Sequence, residues 1–216
     1  MLSLSLAHRG GPLRVLCLGA HSDDIEIGCA GTLLRWLAEC RRIEVTWAVM
    51  SAGGQRADEA RESAQALMGR AAGLNVVLGD FEDALLPADY ARAKAFLLDL
   101  RARGGADVVL THHAADAHQD HRLVSELTWQ TWRDHLILEY EIPKYEGDLG
   151  RPNVFVPLAE QTAQAKVDHL HAHFGSQRSK DWFDSHAFFG LMRLRGLESR
   201  APSGFAEAFH ARKLVL

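Results

Sequence analysis

The stretch Leu13-Arg14-Val15-Leu16-Cys17-Leu18 runs directly into Gly19-Ala20-His21-Ser22-Asp23-Asp24. The apolar run reads as a buried strand, which puts the histidine and both aspartates at its carboxyl end. In an open α/β sheet that edge is where ligands bind. One imidazole and two carboxylates so close together at such a place suggest a metal site with a spare base. A second cluster, Asp116-Ala117-His118-Gln119-Asp120-His121, follows another strand-like run. Together the two clusters point to a hydrolytic zinc enzyme.

Strand and helix signals alternate on either side. The strand at 13–20 feeds a helix from Glu26 to Cys40, with Asp23 or Asp24 as N-cap. Ile43 to Met50 is a second strand, 51–54 a flexible turn, and a helix follows to Ala72. Leu74 to Leu78 is a short third strand, and the loop Gly79 to Pro87 leads to a helix ending at Gly104-Gly105. Asp107 to Leu110 is the fourth strand, Thr111 to Asp116 its outgoing loop, 120–133 a helix and His135 to Ile142 a further strand. The alternation predicts one Rossmann-like α/β domain over 1–216, with a mostly parallel sheet and helices on both faces. The last third is less regular. It reads as a loop at 144–152, a short strand from Asn153 to Val156, helices at 159–174 and 185–196, and a final strand within Phe205 to Leu216.

The 216 residues are 47% hydrophobic, enough for one full core. A formal charge of −4 argues against a nucleic-acid footprint, which is basic. Arg193, Arg195 and Arg200 read as a solvated helix face. Cys17, Cys29 and Cys40 show no CxxC spacing and an odd count, which fits reduced thiols. The N-terminus lacks a charged region followed by an apolar stretch and a cleavage site. No apolar run approaches the roughly 20 residues a membrane span needs. A soluble, cytoplasmic protein is expected. Apolar residues near Phe183, Phe188 and Phe189 would suit a subunit contact in a homo-oligomer.

A catalytic zinc takes three protein ligands and leaves a position for water. His21, Asp24 and His121 are the expected ligands, brought together where two neighbouring strands end. Taken singly, His21 reads as a loop residue and Asp24 as a helix cap; their joint arrangement favours the metal. Asp23, unligated, is the expected general base. His118, one helical turn before His121, is assigned to the oxyanion and leaving amine in its protonated form. Asp120 is expected to hydrogen-bond His118 and raise its pKa, or else to cap the following helix. His112 and His113 read equally as pocket rim or as loop residues. His169, His171 and His173 read as a helix surface rather than a second metal site. The phosphate-binding pattern G-x-G-x-x-G is absent.

The segments Ala20-His21-Ser22-Asp23-Asp24 and His118-Gln119-Asp120-His121 resemble the signatures AHPDDE and HPDHR of the LmbE-like, or PIG-L, family of zinc N-acetylglucosaminyl deacetylases. Gly28-Cys29-Ala30-Gly31-Thr32-Leu33 resembles the family's GxxGT helix start. Arg56-x-x-Glu59-Ala60-x-x-Ser63-Ala64-x-x-Leu67 resembles its RxxEAxxAAxxL helix, and Ala206-Glu207-Ala208-Phe209 its AEAF element. Ser22 and Gln119 stand where the family has prolines, and Ile25 where it has glutamate, with Glu26 adjacent. The resemblance implies His21, Asp24 and His121 as zinc ligands, Asp23 as base, His118 with Asp120 as its partner, and Arg56 as a contact to the sugar. Gln177, Arg178 and Trp182 read as a sugar-contacting loop or, equally, an interface loop. The expected activity is removal of an acetyl group from an N-acetylated amino sugar or its conjugate. The alternatives are a non-catalytic metal-stabilised binding module and a zinc hydrolase with another acyl substrate.

Overall fold

The computed structural model describes residues 4–6 and 11–215. Residues 1–3 and 7–10, on which the reading of the N-terminus rests, lie outside the described residues, as does Leu216 of the expected last strand. The elements run β1 (Leu13–His21), α1 (Asp24–Glu39), β2 (Ile43–Ser51), α2 (Gln55–Met68), β3 (Gly73–Leu78), α3 (Tyr90–Arg103), β4 (Val108–His112), α4 (Gln119–Thr131) and β5 (Leu136–Tyr140). The last third adds β6 (Val154–Leu158), α5 (Glu160–His173), α6 (Ser185–Ser199) and β7 (Phe205–His210), with short 3-10 turns at Leu86–Asp89 and Gly175–Gln177.

The strands form one sheet in the order β3-β2-β1-β4-β5-β7-β6. β1 to β5 are parallel, as the alternation predicts. β7 runs antiparallel to both β5 and β6. The reason lies in the connection: two helices rather than one separate β6 from β7, so the chain re-enters the sheet from the edge at which β6 left it. The order reverses between β1 and β4. Chain leaving β1 goes to one side of the sheet and chain leaving β4 to the other, which opens a crevice at their carboxyl ends.

β1 explains why its sequence is apolar throughout. It is a central strand covered on both faces, and only Arg14, held by Asp107, is exposed. Val15 and Cys17 face one core, with Ile25, Leu33, Ala60, Leu67, Val167 and Phe188 from α1, α2, α5 and α6. Leu16 and Leu18 face the other, with Leu97, Leu100, Leu123 and Leu127 from α3 and α4. Cys17 and Cys29 are buried free thiols and Cys40 is half-buried.

α1 passes very close to the sheet. A Cβ on Gly28 would lie 2.3 Å from the Tyr140 ring, and one on Gly31 would lie 2.5 Å from Leu158. Between them a buried pair enters the helix: Lys166 Nζ donates to the carbonyl of Ile27 and to Glu207 Oε1, each at 2.6 Å. Glu207 in turn accepts from the backbone N–H groups of Gly31 and Thr32.

Several expectations change. α1 begins at Asp24, not Glu26; Asp23 holds the N-cap position, as expected, but its side chain makes no capping bond. α2 ends at Met68, four residues early, because Gly69 starts the turn into β3. Arg195 is not on a solvated face: it is 4% exposed and bonded to Glu141 at 2.6 and 2.8 Å. Phe183 and Phe188 are buried in the core, while Phe189 is only partly buried. Among the described residues no helix is long and apolar enough to cross a membrane.

Candidate metal centre and its cleft

His21 ends β1, Asp24 opens α1, and His121 lies in the first turn of α4, so the strand-order reversal brings all three to one crevice. His21 Nδ1 lies 3.2 Å from His121 Nε2 and 3.3 Å from Asp24 Oδ2. His121 Nε2 lies 3.4 Å from Asp24 Oδ1. A four-coordinate ion with bonds of about 2.0–2.2 Å separates its ligand atoms by about 3.3–3.6 Å. The two imidazole nitrogens stand near the spacing such an ion imposes, Asp24 meets each of them with a different oxygen, and all three side chains are buried. Other donors overlap with them. His118 brings a ring nitrogen within 4.8 Å of those of His21 and His121, and His112 does the same for Asp24 and His121.

Carboxylates orient both imidazoles from behind. His121 Nδ1 faces Asp116 Oδ2 at 3.0 Å. His21 Nε2 faces Asp83 Oδ1 at 2.9 Å and Asp120 Oδ2 at 3.2 Å. A carboxylate behind a histidine fixes its tautomer and leaves the other nitrogen's lone pair for a metal. Burial works to raise the Asp24 carboxyl, but His121, His112 and His21 together hold it well below the usual range. The site's charge pattern thus keeps a carboxylate anion among histidines before any cation arrives.

Asp23 sits differently. It is 3% exposed; Oδ1 accepts from Arg56 Nη2 at 2.8 Å, while Oδ2 is buried without a partner. Burial pushes its carboxyl up, opposed by the Arg56 guanidinium. Arg56 also comes within 3.9 Å of Asp83. The arginine expected to reach a sugar is engaged with the neighbouring carboxylates, although it still lines the cleft.

Asp120 is not the partner of the His118 ring. Its carboxylate accepts from the backbone N–H groups of Ala84, at 2.8 Å, and Leu86, at 3.2 Å, and faces His21. His118, not Asp120, is the N-cap of α4, its Nδ1 accepting from the backbone N–H of Asp120 at 3.2 Å. Burial first, then His121 and His21, lower the pKa of His118, which favours the neutral ring over the expected protonated form.

The cleft is walled by Asp83, Tyr145, Glu146, Gln177, Lys180 and Trp182 around the central histidines and aspartates. Gln177 is 3% exposed, with Nε2 donating to Ser176 Oγ and Oε1 unpartnered. Glu59 of α2 holds that turn by accepting from Ser176 N and Oγ. Arg178 turns instead to the carbonyl of His171. A second hollow, at the amino ends of the strands, is lined by Arg14, Glu44, Asn75 and Arg103 and contains no histidine.

The remaining histidines divide. His112 is the last residue of β4, wholly buried under Asp24 with Nε2 3.1 Å from Oδ2, and burial holds its pKa down to about 4. His113 pairs with Glu139. His169 is half-buried rather than exposed: Nε2 lies 2.8 Å from Ser63 Oγ, which also bonds Glu26. Asp83, Asp116, Lys144 and Tyr145 had no assigned role in the sequence reading. Asp116 was within the second cluster and could have been found as the carboxylate behind His121. The others are brought in by loops whose course depends on the whole fold.

Residues 16–132, which are 117 of the 216, match the family described as PIG-L: GlcNAc-PI de-N-acetylase. YaiS of Escherichia coli (strain K12), an uncharacterized deacetylase, is 29% identical over 168 residues, covering 74% of this chain and 89% of its own. The N,N'-diacetylchitobiose deacetylase of Pyrococcus horikoshii superposes with a TM-score of 0.67 at 19% identity, over 92% of this chain and 83% of that one. GalB, the 4-carboxy-2-hydroxymuconate hydratase of Pseudomonas putida KT2440, superposes with a TM-score of 0.74 at 17% identity, over 94% and 98%. These two likenesses establish the shared fold. The family match runs through both clusters that build the cleft, and the chain belongs to the PIG-L de-N-acetylase family.

Proposed function

We propose that this chain is a zinc-dependent hydrolase that removes the acetyl group from an N-acetylated amino sugar or a conjugate of one. The observation that carries the reading is the mutual 3.2–3.4 Å spacing of His21, Asp24 and His121 beside a buried, unpartnered Asp23 oxygen. His21 Nδ1, an Asp24 oxygen and His121 Nε2 would hold the zinc. When bound, zinc supplies a Lewis acid that polarises the amide carbonyl and acidifies water.

The chain's own residues do the rest. Asp23 takes the proton from the attacking water on its free Oδ2, while Arg56 holds Oδ1 and fixes the carboxylate's direction. The same carboxyl returns that proton to the leaving amine. His118, with Nδ1 accepting from the helix start, presents Nε2 to the oxyanion as a neutral hydrogen-bond donor. Gln177 Oε1 is a spare acceptor for a sugar hydroxyl, and Tyr145 and Trp182 offer aromatic faces. A non-catalytic metal module would need neither a buried base nor the arginine that aims it.

The GalB likeness raises a second reading, water addition to an unsaturated carboxylate, since one fold hosts several chemistries. The charge of the cleft disfavours it. Of the cations that line the cleft, Arg56 and Lys144 are already taken up by carboxylates and Lys180 lies over the Trp182 ring, while Asp83 and Glu146 add negative charge. The test is acetate release from a panel of N-acetylated amino sugars, with 4-carboxy-2-hydroxymuconate as the second arm, each with and without chelator. Acetate release that stops with chelator and returns with zinc is expected. Hydration of the muconate without acetate release would replace this reading with the other.

A further inference from the structure

The segment after β5 is fastened to the metal centre by one largely buried lysine side chain. The Lys144 side chain is 10% exposed, and its ammonium lies 2.9 Å from Asp116 Oδ2 and 2.6 Å from Asp148 Oδ2. The carbonyl of Ile142 is a third acceptor at 3.3 Å. An ammonium has three donors and no acceptor, and here each donor has an oxygen to meet. Lysine is rarely buried unless paired, and this one is paired twice.

The partners make the arrangement consequential. Asp116 Oδ2 is the atom facing His121 Nδ1, and Asp116 Oδ1 accepts from the backbone N–H of His118 at 2.8 Å. Asp148 Oδ2 also accepts from the backbone N–H of Ala117 at 2.6 Å. Both ends of 144–148 are therefore tied to 116–118, and between those ties Tyr145 and Glu146 line the cleft.

We propose that Lys144 is a positioning residue that locks the Asp116 carboxylate behind His121 and clasps the Tyr145–Glu146 wall to the same carboxylate. The inference rests on the metal-centre reading above. Without the ammonium, Asp116 keeps the His118 N–H on Oδ1 but loses the cation that holds Oδ2 toward His121, and His121 loses part of its fixed orientation. The wall is released at the same time. A simple charge effect runs the other way, because removing a cation beside the centre leaves it more negative and favours a bound metal. Positioning and charge thus predict opposite signs.

The experiment measures zinc affinity of the full chain by competition with a chromophoric chelator, for wild type, Lys144→Met, Lys144→Arg and Asp148→Asn. Loss of an outer-shell partner weakens metal binding about 10–100-fold, and Lys144→Met is expected near the lower end, with Lys144→Arg restoring most of it. Asp148→Asn is expected to leave zinc affinity unchanged and to raise KM for an N-acetylated amino sugar without lowering kcat. Unchanged or tighter zinc in a folded Lys144→Met chain overturns the inference while leaving the metal centre intact. If circular dichroism shows that Lys144→Met does not fold, Asp148→Asn decides, and an unchanged KM overturns the clasp. A wild-type chain that takes up no zinc overturns the metal-centre reading and this inference with it.

Discussion

Asp23 and Asp24 are neighbours in sequence and opposites in environment. Asp24 faces three histidines, which hold it ionised; Asp23 faces one arginine and keeps an oxygen free. Metal ligation and proton transfer are thereby separated within one turn of chain. Asp23→Asn should keep zinc and lower kcat by about 10²–10⁴-fold, the usual contribution of a positioned general base. Zinc content after gel filtration and steady-state rates check this, and wild-type turnover would remove Asp23 from the mechanism. Asp116→Asn makes the complementary prediction. It keeps the shape behind His121 but loses the negative charge, so zinc should bind about 10–100-fold more weakly. At this scale the sequence was informative wherever function needed side chains close together in the chain: His21, Asp23 and Asp24 in one cluster, His118 and His121 in the other. It misjudged Asp120, whose carboxylate turns to Ala84 and Leu86 rather than to its neighbour. A loop 34 residues distant decided that contact, and spacing within the cluster contains no trace of it.

Among the elements, α1 bears the heaviest constraints, since its first residue is a proposed ligand and its middle is penetrated by a buried ion pair. Gly28 gives Tyr140 room, and the Tyr140 hydroxyl donates to the carbonyl of Leu18 at 2.6 Å, just below the site. Glu207 receives Gly31 N–H from 176 residues earlier and balances Lys166. The resemblance of 206–209 to a family element marked Glu207 without giving it a reason; the reason is that it holds the first helix of the site against β7. Glu207→Ala would leave the Lys166 ammonium buried without its carboxylate. Breaking such a pair from one side costs about 3–5 kcal/mol. Denaturant unfolding monitored by tryptophan fluorescence should show a loss of that size, and a loss below about 1 kcal/mol, the range of exposed pairs, would mean that water reaches the lysine.

For the molecule as a whole, the parallel half of the sheet was legible because buried parallel strands are apolar on both faces and alternate with amphipathic helices. The antiparallel β7 was not, since strand direction there depends on how two helices return the chain. Helix surfaces were misjudged for the same reason: Arg195 and His169 look like solvent residues until the packing partner is known. His169 links the stability of the whole molecule to pH. α5 presses it toward Ser63 of α2, which also bonds Glu26 of α1, so one polar contact spans three helices. Burial first, and His173 second, push its pKa down to about 4 from the ordinary 6.5. Between those values the unfolded chain takes up the proton and the native one does not. Stability contributed by the neutral ring is therefore present above about pH 6.5 and falls away as pH drops through about 4. His169→Gln removes the titrating group, so the midpoint of urea unfolding should decline less steeply from pH 6.5 to 4 in the variant than in wild type. The difference between the two curves isolates this residue, together with the His173 ring coupled to it, from the other acids and histidines. Parallel curves would show that the His169 ring accepts its proton in the folded state as readily as in the unfolded one, and that the three-helix contact does not exclude the charge.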